Sequence, residues 1–258
     1  MSSNKEWPMD TRQQRFDFIL TQIHSSNTYP KFCNEVHGVD LSQLNMIDAE
    51  QLQTIINLSE LTHKKTFLDV GCGVGQLTKY IQSCTGASGL GVDLSEQMIT
   101  ALKTENQRNL EFMQADINDF SIKRIFDVIF FMDSWYFITD QTAVLMHMKQ
   151  SMNLNSVMLI TLSNYKPLDD MEKFHMQKTN LAQLLDKCGF TFETIDFTNN
   201  DKILWKQVKR SLDKYKKAFI SEGCEILHQV RATESDLKNT EITNPYHYRY
   251  LYIVKVKR

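Results

Sequence analysis

Apolar residues fall along this chain in two rhythms. Short apolar or alternating runs stand at Phe67, Leu68 and Val70, at Leu90, Val92 and Leu94, before Ala115-Asp116, and over 128–132, 157–162, 190–197 and 248–256. Runs of that length bounded by glycine and polar clusters read as strands. Between and around them apolar residues recur every three or four positions, which is helical spacing. Phe16, Ile19, Leu20 and Ile23 share one face of a helix over 11–23, broken by Ser25-Ser26-Asn27. Phe32 and Val36 mark a short helix ended by Gly38, and Asp48 can cap another whose stripe is Leu52, Ile55, Ile56 and Leu58. A methionine-rich helix precedes the 157–162 run, and Met146, Met148, Met152 and Met158 read as core filler. Thr179-Asn180 can cap a helix over 181–187 that Gly189 ends. Leu204, Val208, Leu212, Tyr215 and Phe219 form a long stripe; Gly223 breaks it, and Ile226, Leu227 and Val230 begin a second helix before the last strand. Strands alternating with helices predict an α/β fold on a parallel sheet.

The chemistry gathers around TFLDVGCGVG, residues 66–75. A buried strand runs into glycines at 71, 73 and 75, and Leu77, Tyr80 and Ile81 open a helix. Glycine serves where the backbone needs φ > 0 or where a ligand lies against it. The spacing is G-x-G-x-G; position 76, where a dinucleotide fingerprint wants its third glycine, is Gln76. A pyrophosphate needs that helix start fully open, and a ligand without phosphate does not. Asp93 ends the second strand 20 residues after Gly73, where α/β nucleoside sites place the carboxylate that grips a ribose diol.

TFLDVGCGVGQLTKYI, GLGVDLSEQMI, LEFMQADINDF and FDVIFFMDSWYFI resemble, in order and spacing, the four core motifs of class I S-adenosylmethionine (SAM) methyltransferases. The resemblance covers residues 64–165 and is strongest to bacterial small-molecule enzymes. It implies a Rossmann-like methyltransferase fold: a mostly parallel seven-stranded sheet with an antiparallel last strand, an N-terminal helical lid (1–63), a SAM-binding core (64–198), a helical cap inserted at 199–245, and the last strand at 246–258. It also implies that Asp69, Gly71 and Gly73 surround the methionine part of SAM. Asp93 would bind the ribose hydroxyls, Leu94 and Met98 the sugar and adenine, Asp116 the adenine amino group and Ile117 its ring. The residues alone also allow Asp116 to be an N-cap or turn acid before Asn118 and Asp119, though the family spacing favours the adenine role, and Asp127 reads as structural. From the pre-core segment, Tyr29, Gln43 and Asn45 are lid contacts by resemblance, against an ordinary polar loop.

The fourth strand, apolar throughout, ends in Met132-Asp133-Ser134-Trp135-Tyr136, beyond which α/β folds bind ligands. Met132 is therefore expected beside the cofactor. The motif is neither D-P-P-Y nor N-P-P-Y, which argues against methylation of planar amino groups. Tyr136 is expected in the active site and Trp135 in either site or core. Ser163, Asn164 and Tyr165 should reach the same rim. Asp133, His175, His228 and His247 are candidate bases if the acceptor must lose a proton; Glu172 is a candidate acceptor contact.

At 42% hydrophobic and 23% charged the composition is that of an ordinary globular protein. A formal charge of −2 argues against a nucleic-acid partner, and no apolar run has the length of a membrane span. MSSNKEWPMD lacks a signal-peptide pattern, and five scattered cysteines suggest reduced thiols in a cytoplasmic protein with no zinc site. Seven Lys/Arg against two Asp/Glu over 201–217 read as a solvated helix face, or as Lys206, Lys209 or Arg210 holding an anionic acceptor. The expected partner is a small-molecule methyl acceptor; a macromolecular acceptor and SAM binding without turnover are the alternatives, and a homodimer stays open.

Overall fold

The computed structural model describes residues 12–105, 107–119, 122–166 and 171–257. Thr11, the first ten residues and 167–170, on which parts of the expected first helix, leader pattern and loop fall, lie outside them. Three helices lead: α1 (Arg12–Ser25), α2 (Tyr29–His37) and α3 (Ala49–Ser59). Strands and helices then alternate as β1 (Thr66–Val70), α4 (Gln76–Thr85), β2 (Ser88–Asp93), α5 (Glu96–Thr104), β3 (Leu110–Gln114) and β4 (Val128–Met132). After them come α6 (Gln141–Gln150), β5 (Val157–Asn164), α7 (Asn180–Lys187), β6 (Phe190–Asp196), α8 (Thr198–Ser221), α9 (Glu225–Glu241) and β7 (Tyr248–Val256).

The seven strands form one sheet in the order β3-β2-β1-β4-β5-β7-β6. β1 to β5 are parallel and β7 runs antiparallel between β5 and β6. This is the Rossmann-like methyltransferase sheet expected from the sequence. The Asp127 carboxylate accepts from Thr66 N at 2.8 Å and Thr66 Oγ1 at 3.2 Å, fastening the start of β1 to that of β4. Local capping follows the sequence. Asp48 accepts from Gln51 N at 2.7 Å and Thr179 from Ala182 N at 3.1 Å, while Gly38 ends α2 at φ 73°.

Alternation along β7 sorts the core. Tyr248, Tyr250 and Tyr252 pack on one face with Phe131, Trp135 and the α6–α7 side chains; Leu251 packs on the other with Leu52 and Ile55 of α3 and Ile81 of α4. A third apolar cluster joins α1, α2, α8 and α9 through Leu20, Phe32, Trp205, Leu212, Phe219 and Leu227. Polar clasps hold it. Glu222 at the end of α8 accepts from Ser26 Oγ, Thr28 N and Thr28 Oγ1 at 2.8, 3.1 and 2.7 Å. Glu35 on α2 pairs with Lys214 and accepts from Tyr215 Oη at 3.0 Å. One expectation fails here: Met146 is 43% exposed, because the buried stripe of α6 runs through Val144, Leu145 and Met148.

Candidate cofactor and acceptor cavity

Between the carboxyl ends of the strands and the helices above them lies a cavity of about 1050 Å³. Its floor is the turn after β1. Gly71 and Gly73 take φ 83° and 52°, and Gly71 N and Cys72 N both donate to Val92 O, so the turn folds back onto β2. A Cβ on Gly71 would stand 2.6 Å from Ser134 Cβ. Ser134 in turn donates to Val70 O at 2.5 Å, locking β1 to the end of β4. The floor is therefore closely packed, on a backbone that glycine adopts freely and other residues do not.

Asp93 enters from β2. Its Oδ2 accepts from Gly73 N at 2.8 Å and its Oδ1 from Ser95 N at 3.0 Å. Burial pushes its pKa above the ordinary carboxylate value, opposed by those N–H donors. Two backbone bonds fix the carboxylate and leave lone pairs over for a ligand.

Asp69 lies deeper, 1% exposed, and accepts from Thr78 Oγ1 at 2.6 Å. Burial pushes it up to about 6, against the Thr78 bond and with help from the Asp93 charge. A raised carboxylate pKa stabilises the fold below the unfolded value and loses that contribution as pH rises through the folded one. Urea unfolding should therefore show Asp69→Asn gaining on the wild type by about 2 kcal/mol between pH 4.5 and 7.5. A pH-independent difference would contradict it.

The adenine-side candidates reach the wall unevenly. Leu94 is 40% exposed and lines the cavity with Ile117. Asp116 also lines it, yet its Oδ1 already accepts from Asn118 N and Asn118 Nδ2, both at 2.9 Å, so it is a turn acid as well. Met98 is buried in the α1–α2–α8–α9 cluster away from the wall.

Met132, Asp133 and Tyr136 follow β4 into the cavity. Asp133, at φ 58°, is fully engaged. Arg249 Nη1 and Nη2 donate to its two oxygens at 2.9 Å each, Met46 N donates to Oδ2 at 2.8 Å, and Thr161 Oγ1 donates to Oδ1 at 3.0 Å. Expected as a base, it serves instead as the hub of a buried network. Arg249 also donates to Gln51 Oε1 at 3.2 Å and Ser163 Oγ at 3.0 Å. This ties α3, the 38–48 segment and β5 to one Arg249–Asp133 pair. Tyr136 is 43% exposed through its ring, while its Oη accepts from Ser163 N at 2.6 Å. Burial raises its pKa, so it stays a neutral phenol at working pH.

Three candidate bases, His175, His228 and His247, stand away from the cavity, contrary to expectation. His247 turns inward before β7, 1% exposed, pairing with Asp201 at 2.8 Å and stacking on Tyr165 with centroids 5.0 Å apart. His175 is exposed on a turn and accepts from Gln177 N at 3.4 Å. His228 bonds Leu212 O at 3.1 Å within the α8–α9 pair. Tyr29 is likewise fully buried; its hydroxyl donates to Gln43 O at 2.9 Å and so places the segment that carries Gln43 and Asn45 onto the wall. Lys206, Lys209 and Arg210 face solvent, with Lys209 paired to Asp236.

Beside Tyr165, which was expected at the rim, the cavity wall takes residues of α8 and α9 that the sequence did not single out. Trp205 of α8 donates through Nε1 to Tyr165 Oη at 3.0 Å, and Arg231, Glu234 and Lys238 of α9 line the wall. One signal for Arg231 was legible: it continues the Leu227 stripe one turn on, where the helix is buried.

Residues 67–153 match a family model described as a methyltransferase domain. The putative methyltransferase 235L of Invertebrate iridescent virus 6 is 33% identical over 123 residues, covering 46% of this chain and 42% of that protein. Phosphoethanolamine N-methyltransferase 2 of Haemonchus contortus superposes with a TM-score of 0.73 at 15% identity, over 97% of this chain and 60% of that one. Coclaurine N-methyltransferase superposes with a TM-score of 0.63 at 15% identity, over 95% and 88% of the two chains. The match thus spans less than half the length of the viral relative. The sheet order and the glycine turn with its facing carboxylate agree with the family match: residues 67–153 are a methyltransferase domain, carried on a Rossmann-like methyltransferase fold.

Proposed function

We propose that this chain transfers a methyl group from SAM to a small-molecule acceptor by in-line displacement and releases S-adenosylhomocysteine. The observation that carries the reading is one cavity lined both by Asp93 and the glycine turn, at the ends of β1 and β2, and by Tyr136, Asn164, Tyr165 and Trp205, at or beyond the ends of β4 and β5 and on α8. At about 1050 Å³ it has room for a nucleoside-sized molecule and a second small one. The Haemonchus enzyme was solved with S-adenosyl-L-methionine, and coclaurine N-methyltransferase with N-methylheliamine and S-adenosylhomocysteine. That agrees with the same division here.

The residues present fit the cofactor. Asp93 has lone pairs to accept from a ribose diol, and Gly71 and Gly73 leave the floor without side chains. Asp69 puts a carboxylate beneath the turn for a ligand ammonium, while Leu94 and Ile117 offer apolar surface and Asp116 an acceptor at the rim. Gln43 and Asn45 close over from the pre-core segment. When bound, SAM supplies a methyl already made electrophilic by its sulfonium. What remains for the protein is to hold an acceptor lone pair in line and keep water out. The helical roof does the second. Tyr136 serves the first: its oxygen is held by Ser163 N–H and its own proton is left to donate. With Asp133 committed to Arg249 and the three expected histidines elsewhere, the wall holds no spare imidazole base among the described residues. An acceptor nucleophilic without protein-assisted deprotonation suits it best.

The lid (1–63), core (64–198), cap (199–245) and last strand (246–258) are proposed as the working divisions. Incubating the protein with methyl-labelled SAM and a cell extract tests the reading. Label in the small-molecule fraction is expected. Label on protein or RNA would move the acceptor to a macromolecule, and none, with SAM binding intact, would leave a binding protein.

A further inference from the structure

Arg231 is fully buried, its side chain 2% exposed, in the cluster between α2, α8 and α9, and it lines the same cavity. Its Nη1 donates to Glu234 Oε2 at 2.5 Å, and its guanidinium lies over Trp205, 5.9 Å from the ring centroid. Its Nε and Nη2 are buried without a hydrogen-bond partner among the described residues. These two nitrogens form one edge of the planar group, with parallel N–H bonds. That edge matches the two oxygens of a carboxylate or phosphate. A buried guanidinium with its fork unpaired is costly and calls for a partner.

Among the described residues no side chain is bonded to that edge. Burial pushes Cys33 up to about 12 and raises Tyr29 as well, so both stay protonated. Burial and the Arg231 charge push His37 down to about 3, so it adds no cation. Glu234 is the carboxylate bonded to Arg231, and it meets only Nη1. The strand order places the partner of Trp205, over which the guanidinium lies, away from Asp93. Trp205 bonds Tyr165, which follows β5, three strand positions from the β2 that carries Asp93. At ordinary strand spacing that is about 14 Å.

We propose that the methyl acceptor is an anion, whose carboxylate or phosphate group is held by the free Nε–Nη2 edge of Arg231. This rests on the methyltransferase reading and adds the acceptor's chemical class. It also explains a roof lined with Trp205 and Tyr165. The anionic end is anchored on α9 and the rest of the molecule lies along aromatic faces toward Tyr136.

Calorimetric titration tests it, with and without S-adenosylhomocysteine, using inorganic phosphate, benzoate and the neutral isostere benzamide. Wild type should bind benzoate or phosphate at least about tenfold more tightly than benzamide, as loss of charge-assisted bonds implies. Which anion binds better names the group. Arg231→Gln should lose that preference, and Glu234→Gln, a half-exposed change that removes a competing carboxylate, should tighten anion binding several-fold. Equal binding of benzoate and benzamide, no anion binding by wild type, or an unchanged preference in Arg231→Gln with no gain in Glu234→Gln overturns the proposal. So does an Arg231→Gln variant that loses affinity for S-adenosylhomocysteine but keeps it for methylthioadenosine, since the fork would then hold the cofactor's own carboxylate. If wild type fails to bind S-adenosylhomocysteine, the cofactor reading fails, while the titrations without it still report on Arg231.

Discussion

Replacing Arg249 with methionine is expected to destabilise the folded chain by about 3–5 kcal/mol, the usual cost of leaving a buried charge bare. Arg249 is 1% exposed, and four acceptors surround its guanidinium: both Asp133 oxygens, Gln51 Oε1 and Ser163 Oγ. Methionine fills much of the same volume, so the loss is electrostatic more than steric. Asp133 would keep Met46 N and Thr161 Oγ1 as donors but lose its counter-charge. The double variant Arg249→Met, Asp133→Asn should recover a good part of the loss, since asparagine tolerates the φ of 58° and carries no charge. Chemical denaturation of the three proteins checks this. A single variant within about 1 kcal/mol of wild type would mean water already solvates Asp133.

Gly71→Ala is expected to cost about 2–4 kcal/mol and to abolish cofactor binding. The φ of 83° charges an alanine for left-handed backbone, and the added Cβ would stand 2.6 Å from Ser134 Cβ, an atom next to the backbone that cannot swing away. Relief requires the turn or the end of β4 to move, and both are cavity floor. Gly223→Ala is the matching control. Its φ is 75°, but nothing lies within 4 Å of its would-be Cβ. It should pay only the backbone term, about 1–2 kcal/mol, and bind as wild type does. Equal effects from the two changes, by denaturation and titration, would show that the contact with Ser134 carries no energy.

The sheet was legible because each strand carries a local signal. Val128–Met132 is apolar throughout because both its faces are covered, and Tyr248–Val256 alternates because its faces meet different helices. Asp93 could be read because a carboxylate at that offset from a glycine turn is a local arrangement. Asp133 and His247 show the limit. Each looked like a free polar group at a strand end. Their partners, Arg249 and Asp201, lie 116 and 46 residues away in the chain, brought close only by sheet order and by the start of α8. A polar residue's availability depends on who pairs with it, and pairing over such distances leaves no local pattern. Arg249 itself carried a signal, a charge inside an apolar strand at a buried register, which is costly unless paired.

Asp93 and the glycine turn are proposed as the SAM site. Calorimetric titration of S-adenosylhomocysteine into wild type and Asp93→Ala tests it most directly. Micromolar binding by wild type is expected, with a loss of at least about 1–3 kcal/mol in the variant, the worth of hydrogen bonds to a buried carboxylate. Binding of equal strength by both proteins, or none by well-folded wild type with or without an anionic acceptor present, would contradict it.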